Sequence, residues 1–299
     1  MEHLMINAEQ MQRFVTGRGF IAALDQSGGS TPKALALYGV DESQYSSERE
    51  MFDLIHAARS RIVTSAVFTS DRVLGAILFE GTLDRQIDGH DAAGYLWSQK
   101  RILPFLKIDK GLMDERDGAQ LMRDIPGLSE TLARAAAQGV FGTKERSLIH
   151  SADDAGIARA VEQQVELAQE VLDAGLLPIL EPEVSIGADD KERAERLLNT
   201  ALLERLTWLG DQKVAVKVTI PSVDGFYGEL IEHPNVARVV ALSGGYHRAE
   251  ANERLARNPG LIASFSRALL DGLTAAQSPD EFDRTLDASI ETIYRASIA

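Results

Sequence analysis

The 299-residue sequence contains no cysteine. Disulfides, thiolate-bound zinc and a cysteine nucleophile are therefore excluded, and the composition suits a reducing compartment such as the cytoplasm. No apolar run approaches the roughly 20 residues that a membrane helix needs. The N-terminus lacks a basic segment followed by an apolar core, so we expect no signal peptide. These absences favour a cytoplasmic protein that does not enter a membrane.

Basic residues are also scarce: Lys and Arg number 31 against 45 Asp and Glu, a net charge of −14. This charge argues against general binding to nucleic acid. None of the six histidines falls in an H-x-H or H-E-x-x-H pattern, although a magnesium site made of Glu181 and Glu183 stays open. The G-x-S-x-G pattern of a serine nucleophile is absent as well. A local group of basic residues in this acidic chain therefore needs an explanation.

Eight apolar, strand-like runs alternate with helical segments. The strand candidates are residues 20–25, 75–80, 104–109, 139–146, 176–183, 214–220, 237–243 and 260–266. This alternation predicts a parallel sheet covered by helices, and eight units predict a closed (β/α)8 TIM barrel. An open doubly wound sheet is the alternative, but no G-x-G-x-x-G follows the first strand. We therefore predict one α/β domain over residues 1–299, with about 18 N-terminal and about 25 C-terminal residues as helical extensions.

Helical periodicity is clear in several segments between the strands. Residues 153–174 and 190–207 each place aliphatic side chains on one face, and Gly175 ends the first segment. The capping box Ser278-Pro279-Asp280-Glu281 predicts a helix start near the end of the chain. Residues 61–68 also suit a strand, but the spacing from Met51 to Ile62 favours a helix that ends there.

Lys217 lies in an apolar, β-branched run, residues 214–220, which predicts a buried strand. A lysine is almost never buried without compensation. Burial disfavours the ammonium form, and an uncharged amine can attack a carbonyl carbon. The alternative is a lysine at the end of a strand whose ammonium group reaches water. The pattern makes Lys217 a candidate nucleophile.

Charged residues recur two positions apart near the ends of three other strands. These pairs are Lys107 and Asp109, Lys144 and Arg146, and Glu181 and Glu183. Residues i and i+2 point to the same face of a strand. Outward placement would bury charge against apolar helices, whereas the carboxyl end of a barrel interior is where catalytic groups lie. A single pair would also suit a structural ion pair, but the recurrence favours a shared site that includes Lys217 and Asp25.

Two groups of polar loop residues predict anion binding. The loops after strands 7 and 8 of such barrels usually hold phosphate, through glycine N–H groups and an arginine. A second Ser/Gly loop follows the first strand. The candidates are Ser243, Gly244, Gly245 and Arg267 in the first group, and Ser27, Ser30 and Lys33 in the second. Two such groups in an acidic protein predict a substrate with two phosphates.

Taken in order, these motifs resemble those of class I (Schiff-base) fructose-1,6-bisphosphate aldolases. The resemblance spans residues 20 to 267, and eight modest motifs in the right order make it specific. They are Ala-Leu-Asp25 with the loop to Lys33, Ile-Leu-Phe79-Glu-Gly-Thr82-Leu, Leu-Lys107-Ile-Asp109-Lys110-Gly111, Lys144-Glu145-Arg146, Leu-Glu181-Pro-Glu183, Lys217, Leu-Ser243-Gly-Gly, and Ser266-Arg267.

The sequence departs from the animal members of that family. Gln26 stands where they have an acid, Glu145 where they have tryptophan, and Val218-Thr219-Ile220 where they have Pro-Asn-Met. They end in a functional tyrosine, whereas Tyr294 is not terminal here. The pattern is more similar to the shorter bacterial branch, and the resemblance assigns Tyr294 no role.

The resemblance implies reversible cleavage of fructose 1,6-bisphosphate to dihydroxyacetone phosphate and glyceraldehyde 3-phosphate. Lys217 would form an imine with the C2 ketone, kept uncharged by burial and by the like charge of Lys144. Glu181 would be the acid/base, and Glu183 would adjust its ionisation. No cofactor and no metal are implied, so a chelator should leave activity unchanged.

The resemblance also implies roles for the remaining residues. Asp25 would take the proton of the C4 hydroxyl, and Lys144 and Arg146 would stabilise charge. The implied phosphate contacts are Ser243, Gly244, Gly245, Ser266 and Arg267 at one end, and Ser27, Ser30, Lys33 and Lys107 at the other.

Two other classes of function stay open. One is a different Schiff-base barrel enzyme, such as a transaldolase or a deoxyribose-phosphate aldolase-like enzyme, which substrate profiling would separate. The other is a non-catalytic phosphosugar-binding scaffold, which would not be inactivated by borohydride with substrate. The sequence also leaves open a homo-oligomer, and the use of fructose 1-phosphate or sedoheptulose bisphosphate.

Overall fold

The computed structural model describes residues 6–27, 29 and 31–299, so the predicted phosphate contact Ser30 lies outside the described residues. Eight parallel strands form a closed barrel, because each pairs with the next and the last pairs with the first. They are β1 (Phe20–Leu24), β2 (Val73–Phe79), β3 (Leu103–Lys107), β4 (Gly142–Ile149), β5 (Leu177–Val184), β6 (Val214–Thr219), β7 (Val236–Leu242) and β8 (Ile262–Phe265). The predicted (β/α)8 barrel is confirmed, with strand ends shifted by at most three residues.

Helices cover the outside of the barrel. They are α1 (Ala8–Thr16), α2 (Thr31–Leu37), α3 (Glu48–Thr64), α4 (Glu80–Leu83), α5 (Ala92–Ser98), α6 (Leu128–Ala137), α7 (Asp154–Asp173), α8 (Lys191–Leu206), α9 (Gly228–Glu232), α10 (Arg248–Ala256), α11 (Arg267–Leu270) and α12 (Pro279–Ser297). The helices predicted at 153–174 and 190–207 are α7 and α8, and residues 61–64 end α3 rather than forming a strand. Within the described part of the chain, no helix is long and apolar enough to cross a membrane.

Helix α12 starts at the predicted capping box. The Ser278 side chain accepts a hydrogen bond from the Glu281 backbone N–H, and the Glu281 carboxylate accepts one from the Ser278 backbone N–H at 2.9 Å. Five apolar side chains of this helix are buried in the main core: Phe282, Leu286, Ile290, Ile293 and Ala296. Near its end, Ser297 Oγ accepts a hydrogen bond from the Ala263 N–H of β8. Helix α12 is therefore held against the barrel by core packing and by this hydrogen bond to β8.

The amino-terminal half of the barrel interior is filled by apolar side chains. Phe14 of α1 closes this end, with its ring centroid 5.6 Å from those of both Phe105 and Phe141. Gly142 leaves room for this packing, because a Cβ there would lie 2.9 Å from the Phe105 ring and 2.2 Å from the Leu177 carbonyl oxygen. The cluster contains Phe14, Ile21, Ala23, Leu74, Ile77, Leu103, Phe105, Phe141, Leu177, Ile179, Ala215, Val240 and Ile262.

Candidate active site

A cavity of about 650 Å³ lies at the carboxyl end of the barrel, a size typical of small-ligand sites. Its lining includes every predicted catalytic and substrate-binding residue that the structure describes; among the charged strand-end pairs, Asp109 alone is not in the lining. The predicted residues in the lining are Asp25, Ser27, Lys33, Lys107, Lys144, Arg146, Glu181, Glu183, Lys217, Ser243, Gly244, Gly245, Ser266 and Arg267. Residues from seven of the eight strands or their loops, all but β2, therefore meet at one place, as a barrel predicts.

Strand register brings the central side chains to one level. Arg146 of β4 is the register partner of Glu181 on β5. Ile179 of β5 is paired with Ala215 of β6, so Glu181 and Lys217, each two residues further along, lie side by side. Because side chains alternate along a strand, both point into the barrel with their i−2 neighbours.

Two amines and two carboxylates form a buried chain of contacts. Lys144 Nζ lies 2.7 Å from Asp25 Oδ2 and 2.7 Å from Glu181 Oε2. Lys217 Nζ lies 2.9 Å from Glu181 Oε1. None of the four residues is more than 9% exposed. Each buried charge thus has an opposite partner, which offsets the cost of removing it from water.

These contacts decide which groups are charged. Burial by itself would lower the pKa of Lys144, but the negative charges of Asp25 and Glu181 raise that pKa above its usual value. Burial would raise the pKa of Asp25 and of Glu181, but the charges of Lys144 and Lys217 hold both pKa values below their usual range. Glu181 lies between the two amines and contacts both, which screens the repulsion between them. Lys144 therefore stays charged near neutral pH, and both acids stay ionised.

Glu183 contacts Arg146 rather than Glu181. Arg146 Nε donates a hydrogen bond of 2.5 Å to Glu183 Oε2. Burial would lower the pKa of Arg146, but Glu183 and Glu181 raise it. Glu183 thus contacts Arg146, and the charge of Arg146 in turn lowers the pKa of Glu181. Both carboxylates of the alternative magnesium site are engaged by cations, and the described residues contain no metal-binding cluster of three or more His, Cys, Asp or Glu.

Lys107 is held at the rim of the cavity by Asp109, which follows the end of β3. Lys107 Nζ donates to Asp109 Oδ1 at 2.6 Å and to the Asp109 carbonyl oxygen at 3.0 Å. Asp109 is not part of the cavity lining. The strand motif Lys107-Ile-Asp109 therefore contributes one cavity residue and one residue that positions it.

The loops after β7 and β8 converge, as a phosphate site requires. Gly244 and Gly245 have φ values of 63° and 133°, which L side chains rarely adopt. A Cβ on Gly244 would also lie 2.5 Å from Ile186 Cγ2. A Cβ on Gly245 would be only 3.8 Å from Arg267 Nη2. Glycine backbone and the arginine side chain thus border the same space, where an anion would meet both.

Several residues that line the cavity were missed by the sequence interpretation, including Arg59 of α3 and Gln26 after β1. Arg59 lies on the apolar face of a helix, with Ile55 and Ile62, and this position could have indicated that its charge is buried. Tyr294, in contrast, is partly buried against the main core and is not in the cavity lining.

The closed barrel, with a buried lysine–carboxylate chain at its open end, defines a (β/α)8-barrel enzyme of the Schiff-base type. The model of the family "Fructose-bisphosphate aldolase class-I" matches residues 3–223. The chain belongs to the class I fructose-bisphosphate aldolase family.

Curated relatives of similar length carry the name fructose-bisphosphate aldolase class 1. The chain is 56% identical to the protein of a Synechocystis species over 98% of both chains. It is 52% identical to that of Porphyromonas gingivalis and 53% identical to that of Clostridium acetobutylicum, over 98% of this chain and all of each relative.

A solved structure shares the fold. It is the fructose-bisphosphate aldolase of Plasmodium falciparum in complex with TRAP and a small-molecule inhibitor. The two structures superpose with a TM-score of 0.71 at 21% identity, over 98% of this chain and 96% of the other. This likeness supports the architecture alone.

Proposed function

We propose that the protein catalyses the reversible aldol cleavage of fructose 1,6-bisphosphate to dihydroxyacetone phosphate and glyceraldehyde 3-phosphate. The observation that carries this proposal is the buried amine of Lys217, 2.9 Å from Glu181 Oε1 and facing the cavity. A buried amine beside an acid/base is the arrangement that imine formation requires.

Imine formation uses the contact between Lys217 and Glu181. Transfer of one proton from the amine to Glu181 leaves an uncharged nitrogen, which attacks the C2 ketone of the sugar to form a carbinolamine. Glu181 then returns a proton to the C2 hydroxyl, which leaves as water, and the nitrogen lone pair completes a protonated imine. Lys144, 2.7 Å from Glu181 Oε2, orients the carboxylate for both transfers.

Cleavage uses the protonated imine as the electron acceptor. Asp25 takes the proton of the C4 hydroxyl, the C3–C4 bond breaks, and its electron pair moves into an enamine on the dihydroxyacetone phosphate half. Glyceraldehyde 3-phosphate leaves with a new C4 carbonyl. The proton held by Asp25 passes to C3, and water hydrolyses the imine, which releases the second product and restores Asp25 and Lys217. The contact between Lys144 and Asp25 Oδ2, at 2.7 Å, keeps Asp25 ionised and ready to accept that proton.

The two phosphates bind to two different groups of residues at the cavity. The loops after β7 and β8 hold the phosphate of the dihydroxyacetone half, and the loop after β1 with Lys107 holds the other. The cavity concentrates basic side chains in a protein of net charge −14, which focuses the field on an anionic sugar. The family and the name of the curated relatives support a role in glycolysis and gluconeogenesis, and a composition without cysteine suits the cytoplasm.

The test is reductive trapping. Incubation with dihydroxyacetone phosphate and sodium borohydride should add one reduced triose phosphate to the intact mass, located on Lys217 by peptide mapping, with loss of activity. Lys217→Met should give no adduct and no turnover, and should unfold near the wild-type temperature because the barrel interior accepts an apolar side chain of similar size. A matched control is Lys213→Met, since Lys213 is exposed and donates to the Pro234 carbonyl oxygen, outside the cavity lining. Label on another side chain, or turnover by Lys217→Met, would overturn the proposal.

A further inference from the structure

A buried arginine beside the cavity lacks an acidic partner. Arg59 of α3 is 3% exposed and belongs to the cavity lining. None of the described carboxylates forms an ion pair with it, although the protein carries 45 acidic residues. Its Nε atom is buried without a hydrogen-bond partner in the described structure. Buried charges normally have a partner of opposite charge, so the burial of the Arg59 guanidinium without one needs an explanation.

The Arg59 guanidinium ties together the segments that follow two neighbouring strands. Its Nη1 donates to Thr82 Oγ1 at 2.8 Å, and its Nη2 donates to the Gln26 carbonyl oxygen at 2.5 Å. Thr82 lies in α4, directly after β2, and Gln26 follows β1. Because the fork of a guanidinium is rigid, the two hydrogen bonds fix the spacing between Thr82 and the Gln26 carbonyl.

Gln26 extends this connection to the end of β8. Its Nε2 donates to Ser266 Oγ at 2.6 Å. Ser266 immediately precedes α11, whose first residue is Arg267. A carboxylate at position 26 would pair with Arg59 and could not donate to Ser266. The amide makes the link and leaves the guanidinium charge uncancelled.

Arg59 remains charged at neutral pH despite its burial. Burial lowers the pKa of Arg59 to about 10, the negative charge of Asp25 opposes that decrease, and the like charge of Arg85 adds to it. A group with this pKa is protonated at neutral pH. The charge therefore acts on Asp25 and on any anion in the cavity.

We propose that Arg59 is a positioning residue for the phosphate of the dihydroxyacetone half: through Gln26 it fixes Ser266 and, with it, the start of α11 that carries Arg267. Arg267 Nη2 borders Gly245, so this hydrogen-bonded chain ends at the anion site between the loops after β7 and β8. The inference rests on the proposed function and assigns a role in it to a residue that makes no direct contact with the phosphate.

The test compares Arg59→Met with the wild type in the trapping reaction. We expect the concentration of dihydroxyacetone phosphate for half-maximal trapping to rise by roughly tenfold or more, as for loss of a charged hydrogen bond. Trapping at saturation should still label Lys217, and kcat should fall much less than KM rises. Arg59→Lys should behave like Arg59→Met, because an ammonium group cannot reproduce the planar fork.

Arg61→Met is the matched control. Arg61 lies on the same helix and is not itself in the cavity lining; it donates to the Gln277 carbonyl oxygen at 2.6 Å and to the hydroxyl of the lining residue Tyr38 at 3.3 Å. Both variants should lower the melting temperature, but only Arg59→Met should shift the half-saturation concentration. If Arg59→Met does not fold, Gln26→Leu breaks the same chain at its next link and should give the same shift.

The outcomes separate the two proposals. Absence of trapping in the wild type would contradict the proposed function itself. Wild-type trapping with an unchanged half-saturation concentration in Arg59→Met or Gln26→Leu would remove only the role of Arg59. Wild-type behaviour of Arg59→Lys would show that charge alone is needed, and would overturn positioning through the fork.

Discussion

The two halves of the barrel interior differ sharply, although the same strands build both. Ile179 and Ala215 lie in a dry, apolar layer closed by Phe14. Glu181 and Lys217, only two residues further along β5 and β6, are equally buried but charged and in contact. A barrel can therefore place stability at one end of each strand and chemistry at the other.

The two halves are stabilised by different physics. In the amino-terminal half, each large apolar side chain contributes roughly 1.5–3 kcal/mol by leaving water. In the carboxyl-terminal half, burial opposes folding, and alternating charges from Asp25 to Lys217 offset its cost. Changes in the first half should therefore affect stability, and changes in the second should affect turnover.

In the charged, carboxyl-terminal half, the largest expected effect is the loss of kcat in Glu181→Gln. This variant keeps the side-chain volume but removes the only acid that contacts both amines, so kcat should fall by roughly 10²–10⁴-fold. Steady-state kinetics with fructose 1,6-bisphosphate measures this loss. Glu192→Gln, an exposed acid of α8, is the control and should keep wild-type turnover. A kcat within a few-fold of wild type would contradict the acid/base role of Glu181.

The corresponding change in the apolar half is Phe105→Ala. It should lower the free energy of unfolding by about 3–5 kcal/mol, because it leaves a cavity among Phe14, Phe141 and their neighbours. Urea unfolding measures this effect. Val223→Ala, at an exposed position, should change stability by less than about 0.5 kcal/mol. If folded Phe105→Ala also loses kcat, the two halves are not independent.

The smallest expected effect is on stability and concerns Glu145, which lies on the outer face of β4. Lys144 faces the paired charges inside the barrel, whereas its neighbour Glu145 is 0% exposed on the opposite face. Burial raises the pKa of Glu145 well above its usual value, and the negative charge of Asp109 raises it further. In this case the folded state binds a proton that the unfolded state releases, so stability falls as pH rises from the unfolded to the folded pKa.

Glu145→Gln should remove that pH dependence. The variant should melt a few degrees above wild type at pH 8, and the difference should shrink as the pH falls towards 4. Thermal unfolding across this pH range measures it. Equal melting temperatures at every pH would mean that Glu145 is ionised in the folded protein.

Much of the architecture could be read from the sequence, because it is encoded locally. Apolar runs of strand length marked all eight strands, and the capping box at Ser278 marked the start of α12. The i, i+2 spacing of charges predicted which side chains share the barrel interior. The polar ends of the strands could thus be assigned to one cavity without coordinates.

The partners of those charges could not be read in the same way. Asp25 and Lys144 are 119 residues apart, and Gln26 and Ser266 are 240 apart, yet both pairs are in hydrogen-bond contact. Arg59 looked like one more residue of an amphipathic helix, and Glu183 like a direct neighbour of Glu181.

By itself, the sequence determined the order of the elements, the polarity of each strand end and the residue types available for chemistry. Only the tertiary structure decided that Glu181 lies between two amines, that Arg146 forms an ion pair with Glu183, and that Arg59 donates a hydrogen bond to Gln26. The physical reason is range: hydrophobic periodicity acts within a few residues, whereas ion pairs and hydrogen bonds depend on ångström distances that exist only once the barrel has closed.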